Sequence, residues 1–144
     1  MNLSELAARV APYVGLHIGR FVPLTTPLTS TAWDGDAYST VGSSTLIDLS
    51  AVFGVPANVK AISVTITCRD SGSAAATNLG VQLGPSNTYY YAGDVKCSGI
   101  ANDAFASVGP VAVPCNADGD IYYRLAASGA GTLDVWLRIW GYWK

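Results

Sequence analysis

The last twelve residues of the chain, 133–144 (LDVWLRIWGYWK), carry three of its four tryptophans in one mostly apolar segment. Side chains alternate along a β-strand, so one face of this segment is aliphatic and is formed by Leu133, Val135, Leu137 and Ile139. The opposite face is aromatic and carries Trp136, Trp140 and Tyr142, interrupted by Asp134 and Arg138. A strand that is apolar on both faces needs two surfaces to pack against. We therefore expect the aliphatic face to join the core and the aromatic face to be covered by a second layer of the protein or by another chain.

The chain after residue 20 is a series of short apolar segments separated by turn residues. The clearest is 62–68, which alternates as a half-buried antiparallel strand does, with inward Ile62, Val64, Ile66 and Cys68. Further strands are predicted at 45–49, 79–83, 88–92, 105–113 and 121–125, and a turn at 128–131 predicts a hairpin into the final strand. Seven or eight strands without an internal repeat predict an all-β fold, an antiparallel β-sandwich or jelly roll, over residues 21–144.

The first twenty residues differ from this pattern and predict a separate helix and arm. Leu3, Leu6 and Val10 recur at the spacing of an amphipathic helix. Pro12 ends or kinks this helix, because the proline ring clashes with the preceding turn. A helix of about three turns is marginal in isolation. We therefore expect residues 1–20 to dock on the domain, on a sister subunit or on a larger assembly.

The composition argues against nucleic-acid and membrane partners. Charged residues make up 12% of the chain, the formal net charge is -2 and the pI is near 5.0, whereas nucleic-acid-binding domains carry clustered Lys and Arg. No run reaches the ~18 apolar residues of a membrane span, and the start lacks the pattern of a signal peptide. The sequence predicts a protein that folds in a cytoplasm. Its charge-poor surface suits a protein that stays in contact with neighbours.

The residues that enzymes and cofactors need are scarce. A hydrolytic triad needs a base beside its nucleophile, but His17 is the only histidine and lies in the predicted arm. Glu5 is the only glutamate, and the Asp residues fall mostly in turn motifs. The chain has no phosphate loop, HExxH or GxSxG motif. We therefore expect no enzyme activity, no catalytic residues and no cofactor.

Neither a metal site nor a disulfide is predicted. Asn116, Asp118 and Asp120 alternate as at the start of a calcium loop, but turn formation explains them and the distal Glu of an EF-hand is missing. The three cysteines have long, irregular gaps and are predicted to be buried, reduced thiols: Cys68, Cys97 and Cys115. Their spacing leaves a bridge between the last two open.

The aromatic residues raise the question of sugar binding. Flat rings with polar edges suit the faces of pyranoses, and the chain has a tyrosine triplet, 89–91, besides its C-terminal aromatics. In a strand over 88–92 successive tyrosines point to opposite faces and form no single platform. Aromatic residues are also preferred in sheet cores and subunit interfaces. Core or interface packing is the first interpretation, and a ligand platform is the second.

Four segments carry a resemblance to a known class of proteins: 22–30 (VPLTTPLTS), 69–74 (RDSGSA), 119–123 (GDIYY) and 131–142 (GTLDVWLRIWGY). Together they resemble small virion proteins of tailed bacteriophages, over most of the chain after residue 20. Proteins of that class are all-β and often trimeric. They either decorate and cement the capsid or form head or tail fibres.

The resemblance implies different roles for the N-terminal segment and the final strand. The N-terminal helix and the extended segment after it would attach to the major capsid protein or another virion protein through Leu3, Leu6, Val10, Tyr13 and Phe21. The final strand would join protomers into a homotrimer through Trp136, Arg138, Trp140, Tyr142 and Trp143. The expected function is capsid decoration in a virion that is assembled in the host cytoplasm. The alternative is a fibre tip or receptor-binding module that binds carbohydrate.

Overall fold

The tertiary structure, a computed structural model, describes residues 19–73, 78–97, 101 and 103–144. Turn residues divide this part of the chain into nine strands, one short helix and one 3₁₀ turn. The strands are β1 (Phe21–Leu28), β2 (Asp34–Tyr38), β3 (Val41–Ile47), β4 (Ala61–Asp70), β5 (Leu79–Gly84), β6 (Gly93–Cys97), β7 (Ala104–Pro114), β8 (Ile121–Ala126) and β9 (Leu133–Trp143). The helix is α1 (Leu49–Phe53), and the 3₁₀ turn is Thr31–Trp33. The helix predicted near the N-terminus lies outside the described residues.

The strands pair antiparallel in two sheets whose strand order is that of a jelly roll. The five-stranded sheet has the order β1-β9-β4-β7, and β2 pairs with β9 beyond the end of β1. The four-stranded sheet has the order β3-β8-β5-β6. Successive strands mostly lie in opposite sheets, so the chain crosses the ends of a sandwich repeatedly. The prediction of an all-β antiparallel fold is confirmed.

The core lies between the two sheets and is filled from their inward faces. The aliphatic face of β9 is buried as predicted, through Leu133, Val135, Leu137 and Ile139. β4 lies beside β9 and buries Ile62, Val64, Ile66 and Cys68. The fourth tryptophan, Trp33, is also buried, stacked on Tyr38 and edge-on to Tyr123 with ring centroids 4.9 Å apart in each pair. β4 and β9 therefore form the centre of the five-stranded sheet.

A β-bulge interrupts β9 at Trp140. Its neighbours Ile139 and Gly141 pair with adjacent residues of β4, which leaves Trp140 as an extra residue without a partner on that strand. An extra residue shifts the alternation by one, so Tyr142 returns to the core side and pairs with a buried residue of β4. The prediction that Tyr142 shares the aromatic face with Trp140 is therefore wrong, and Trp143 lies on that face instead.

The strand predicted over 88–92 is a loop between β5 and β6. The Ser86 hydroxyl accepts hydrogen bonds from the backbone N–H groups of Thr88 (3.3 Å) and Tyr89 (2.9 Å). These donors are therefore satisfied within the loop rather than in a sheet ladder. The strand that follows begins only at Gly93, in a short segment that the sequence pattern did not reveal.

The hairpin predicted at 128–131 joins strands of different sheets. β8 ends in the four-stranded sheet and β9 begins in the five-stranded sheet, so the connection crosses the end of the sandwich. It is tied to β4 by the buried carboxylate of Asp70, which accepts hydrogen bonds from Ser128 and Thr132. Turn residues predict that the chain reverses direction, but they do not specify which strand the next segment pairs with.

Candidate self-association surface

The outer face of the five-stranded sheet, the side turned away from the core, carries most of the predicted contact residues. Alternation and the bulge place four of the predicted contact residues on it, all from β9: Trp136, Arg138, Trp140 and Trp143. Phe21 of β1 lies opposite Trp143, and Phe105 of β7 lies at the other end of the same face. This face is therefore where the C-terminal aromatic residues meet solvent.

Trp136, in the middle of the outer face, is partly covered by its own chain. β2 runs beside it, and a Cβ added at Gly35 would lie 2.8 Å from three atoms of the indole ring. The ring therefore lies directly against the backbone of β2. The sequence predicts that the aromatic face is covered by another surface, and for Trp136 part of that surface is β2.

Three aromatic residues at one corner of the outer face form what we call the corner patch: Phe21, Trp140 and Trp143. Phe21 is 42% exposed and Trp140 is 38% exposed. The rings of Phe21 and Trp143 are in contact, with centroids 4.5 Å apart and planes inclined by 40°. Phe21 also lies over Gly141, where an added Cβ would come within 2.6 Å of the ring. The missing side chain at Gly141 is what lets Phe21 lie on the sheet.

Both described ends of the chain lie beside the corner patch. Arg20 and Lys144 exchange two backbone hydrogen bonds, each with an N···O distance of 3.0 Å. Arg20, close to the first described residue, therefore lies next to Phe21 and Trp143. Of the predicted attachment residues, Phe21 is part of strand β1, and outside the described residues lie Leu3, Leu6, Val10 and Tyr13.

The edges of this sheet are poorly suited to pairing with another chain. β1 carries Pro23 and Pro27, and β7 carries Pro110 and Pro114. Proline has no N–H to donate to a neighbouring strand and is a common protection of sheet edges. Gly109 and Pro110 form a bulge within a continuous β7. Contact with another chain is therefore expected through the face of the sheet rather than through its edge.

Two arginines on the outer face are each paired with an aspartate of the chain. Arg138 Nη2 lies 3.9 Å from Asp34 Oδ1, and Arg69 Nε lies 2.6 Å from Asp103 Oδ1. All four side chains are about half exposed, so neither pair contributes much to stability. Arg138, predicted at the interface, therefore already has a counter-charge that reduces the cost of covering it.

The 116–120 turn is explained by its own hydrogen bonds. Asn116 Oδ1 accepts from the N–H groups of Asp118 (3.0 Å) and Asp120 (2.9 Å). Asp120 Oδ1 accepts from the N–H of Leu49, at the start of α1, at 2.9 Å. These side-chain oxygens therefore stabilise the turn and the N-terminus of α1. Within the described ranges, no group of three or more His, Cys, Asp or Glu side chains is placed to hold a metal ion.

Comparisons with known proteins assign no function to this surface. In the part of the chain that the structure describes, no helix has the length and apolar character needed to cross a membrane. No family model, no curated protein and no solved structure matches the chain.

Proposed function

We propose that this protein is a non-enzymatic virion protein that decorates a bacteriophage capsid, associates with copies of itself through the corner patch and attaches through its N-terminal segment. The observation that carries the proposal is the position of the exposed Phe21 and Trp140 rings near Arg20, close to where the described residues begin. The proposed attachment segment, residues 1–18, precedes this part of the sheet in the sequence. The resemblance of residues 131–142 to virion proteins supports the same reading.

The size of the corner patch decides how much of the contact it can supply. An aromatic side chain buries about 150–250 Å² in full, and about two fifths of Phe21 and of Trp140 remains exposed. Covering the open part of three such rings contributes on the order of 5 kcal/mol per protomer at ~25 cal/mol per Å². Association costs about 4–15 kcal/mol. The corner patch alone is therefore marginal, and the N-terminal segment supplies the further apolar surface.

A second candidate is the receptor-binding module of a fibre. Jelly rolls occur in viral capsid proteins and in lectins. The fold is therefore compatible with capsid decoration and with carbohydrate binding and does not distinguish between them. The observation that favours this candidate is the exposed Tyr91 beside a polar groove on the four-stranded sheet. Capsid decoration remains the first proposal, because the corner patch lies beside Arg20, which closely follows the proposed attachment segment in the sequence.

Replacing both Phe21 and Trp140 by serine is expected to convert an oligomer, most simply a homotrimer, into a monomer. The loss of apolar contact weakens association by several orders of magnitude. The melting temperature of the protomer also falls, because about three fifths of each ring is buried against its own chain. Light scattering at about 10 µM and the melting temperature give the two readouts. The matched control is Phe105→Ser, at the far end of the same face and 57% exposed. A monomeric wild type, or equal dissociation in the control, would contradict the proposal.

Removing residues 1–18 is expected to abolish attachment to particles without unfolding the domain. Arg20 and Lys144 still close the β1–β9 ladder in the shortened chain, so the sheet keeps its pairing. The measurement is co-sedimentation of the full-length and shortened proteins with virions assembled without this protein. Undiminished co-sedimentation of the shortened protein would rule out the N-terminal segment as the attachment arm.

A further inference from the structure

The outward side of the four-stranded sheet carries a groove of about 370 Å³. Its lining includes Tyr91 and four polar side chains, Gln82, Asp94, Lys96 and Arg124. We propose that this groove binds a saccharide, with one sugar ring stacked on Tyr91 and its hydroxyl groups hydrogen-bonded to the polar side chains. The groove lies on the sheet opposite the corner patch, so the proposal goes beyond self-association and does not depend on it.

Tyr91 presents an exposed aromatic ring whose position is fixed by contact with Tyr90. The residue is 60% exposed, and its ring centroid lies 4.3 Å from that of Tyr90 with an interplanar angle of 38°. Its hydroxyl donates to the Tyr90 hydroxyl at 3.1 Å. Tyr90 packs against the guanidinium of Arg124, whose Cζ lies 3.8 Å from the ring centroid. A ring that is already ordered loses little entropy when a ligand stacks on it.

Gly84 explains how the tyrosine loop reaches this position. A Cβ at Gly84 would lie 2.1 Å from the Tyr89 carbonyl oxygen and 2.5 Å from Tyr90 Cα. Only a residue without a side chain lets the loop lie this close to β5. The rings of Tyr90 and Tyr91 consequently meet beside Arg124, whereas a strand over 88–92 would have separated them. The tyrosine pair is therefore a product of the loop and not of strand alternation.

The polar side chains form a row across three neighbouring strands. Gln82 of β5 pairs in register with Arg124 of β8 on one side and with Asp94 of β6 on the other. Arg124 is oriented by its Nε–H, which donates to the Ser44 hydroxyl at 2.9 Å. Adjacent strands lie about 4.7–4.9 Å apart, so donors and acceptors follow one another on the scale of a sugar ring. Such a row suits the neighbouring hydroxyl groups of a saccharide.

The balance of charge in the groove selects against other ligand classes. Lys96 Nζ lies 4.0 Å from Asp94 Oδ2, so a polyanion would meet a carboxylate and a metal cation would meet Lys96 and Arg124. A purely apolar ligand would leave the polar row without hydrogen bonds. A saccharide has an apolar ring face for Tyr91 and neutral hydroxyl groups for the row. The volume lies near the lower end of small-molecule sites, about 300–1,000 Å³, which fits a short stretch of a longer glycan.

The test is binding of the full-length protein to an array that carries bacterial surface polysaccharides together with malto-, cello- and chito-oligosaccharides, followed by titration calorimetry with the bound glycan. At least one glycan is expected to bind. Tyr91→Ala is expected to weaken that binding about tenfold or more, and Gln82→Ala severalfold. Both variants keep the oligomeric state of the wild type by light scattering, because the corner patch is untouched.

The matched control is Tyr89→Ala, which removes the adjacent tyrosine. Tyr89 is 73% exposed but is not among the residues that line the groove, so its replacement leaves binding unchanged. The proposal is overturned if no glycan on the array binds. It is also overturned if Tyr91→Ala binds as well as the wild type, or if Tyr89→Ala loses as much affinity as Tyr91→Ala.

Discussion

Replacing Asp70 by alanine is expected to lower the free energy of unfolding by about 3–5 kcal/mol, a large part of the stability of a single domain. The Asp70 side chain is fully buried at the end of β4. Its Oδ1 accepts from the Gly72 N–H (3.0 Å) and the Ser128 hydroxyl (2.5 Å), and its Oδ2 accepts from the Ser128 N–H (2.9 Å) and the Thr132 hydroxyl (3.2 Å). Alanine would leave these donors without their acceptor beside the core.

Urea unfolding at pH 7 measures this effect, with two variants for comparison. Asp70→Asn keeps one acceptor oxygen and is expected to lose less stability than Asp70→Ala. Asp103→Ala is the matched control, because Asp103 is an exposed carboxylate with one ion pair to Arg69, and its removal is expected to change stability far less. If Asp70→Ala and Asp103→Ala were equally stable, the carboxylate would not be what ties β4 to the connection between β8 and β9.

The same carboxylate makes stability depend on pH. Burial by itself raises the pKa of Asp70, but the hydrogen bonds from Ser128, Gly72 and Thr132 outweigh burial and hold the pKa below its usual value. A carboxyl whose pKa is lower in the folded state contributes fully above its unfolded pKa, about 3.9, and the contribution is lost as the pH falls through the folded value. Wild-type stability is therefore expected to fall below about pH 4, more steeply than that of Asp70→Asn.

Oxidation is expected to join Cys68 to Cys97 and to raise the free energy of unfolding by about 3.5 kcal/mol, because the bridge closes a loop of about 30 residues. All three cysteines are free thiols, and the Sγ atoms of Cys68 and Cys97 lie 2.9 Å apart in the core. Cys68 belongs to β4 and Cys97 to β6, so the bond would link the two sheets. Cys97 therefore lies next to Cys68. The sequence had left open a disulfide between Cys97 and Cys115 instead.

The bridge is expected to form during refolding rather than in the folded protein. Burial raises the pKa of both the Cys68 and the Cys97 thiol, and the thiolate is the species that attacks a disulfide. Refolding with oxidised glutathione supplies the electron acceptor, since the two thiols lose two protons and two electrons and glutathione disulfide is reduced to two thiols. Peptide mapping identifies the bridge, and guanidinium unfolding compares the oxidised and reduced proteins.

Single cysteine variants test the pairing. Cys115→Ser is expected to form the same bridge with the same gain in stability, whereas Cys97→Ser forms no bridge within the core. A bridge to Cys115 in the wild type would contradict the geometry. So would an oxidised protein that is no more stable than the reduced one.

Local pattern predicted the buried residues correctly along the regularly paired parts of strands that bury one face. The alternation in 62–68 and in 133–139 predicted the buried residues of β4 and β9 correctly, because a one-residue slip would turn the whole aliphatic set to solvent. The pattern failed at Trp140, where pairing with β4 inserts an extra residue and returns Tyr142 to the core side. It also failed at 88–92, where Ser86 satisfies the backbone locally and strand alternation does not apply.

Alternation and turn residues are properties of neighbouring positions, so the amino-acid pattern was enough to predict the class of fold and the buried face of its central strands. The sheet that each strand joins, and every feature that depends on residues far apart in the chain, became known from the three-dimensional fold. Phe21 meets Trp143 at the corner patch, Tyr90 meets Arg124 beside the groove, and Asp70 meets Ser128 at the end of the sandwich. Each of these contacts requires a pairing of strands that no local pattern specifies.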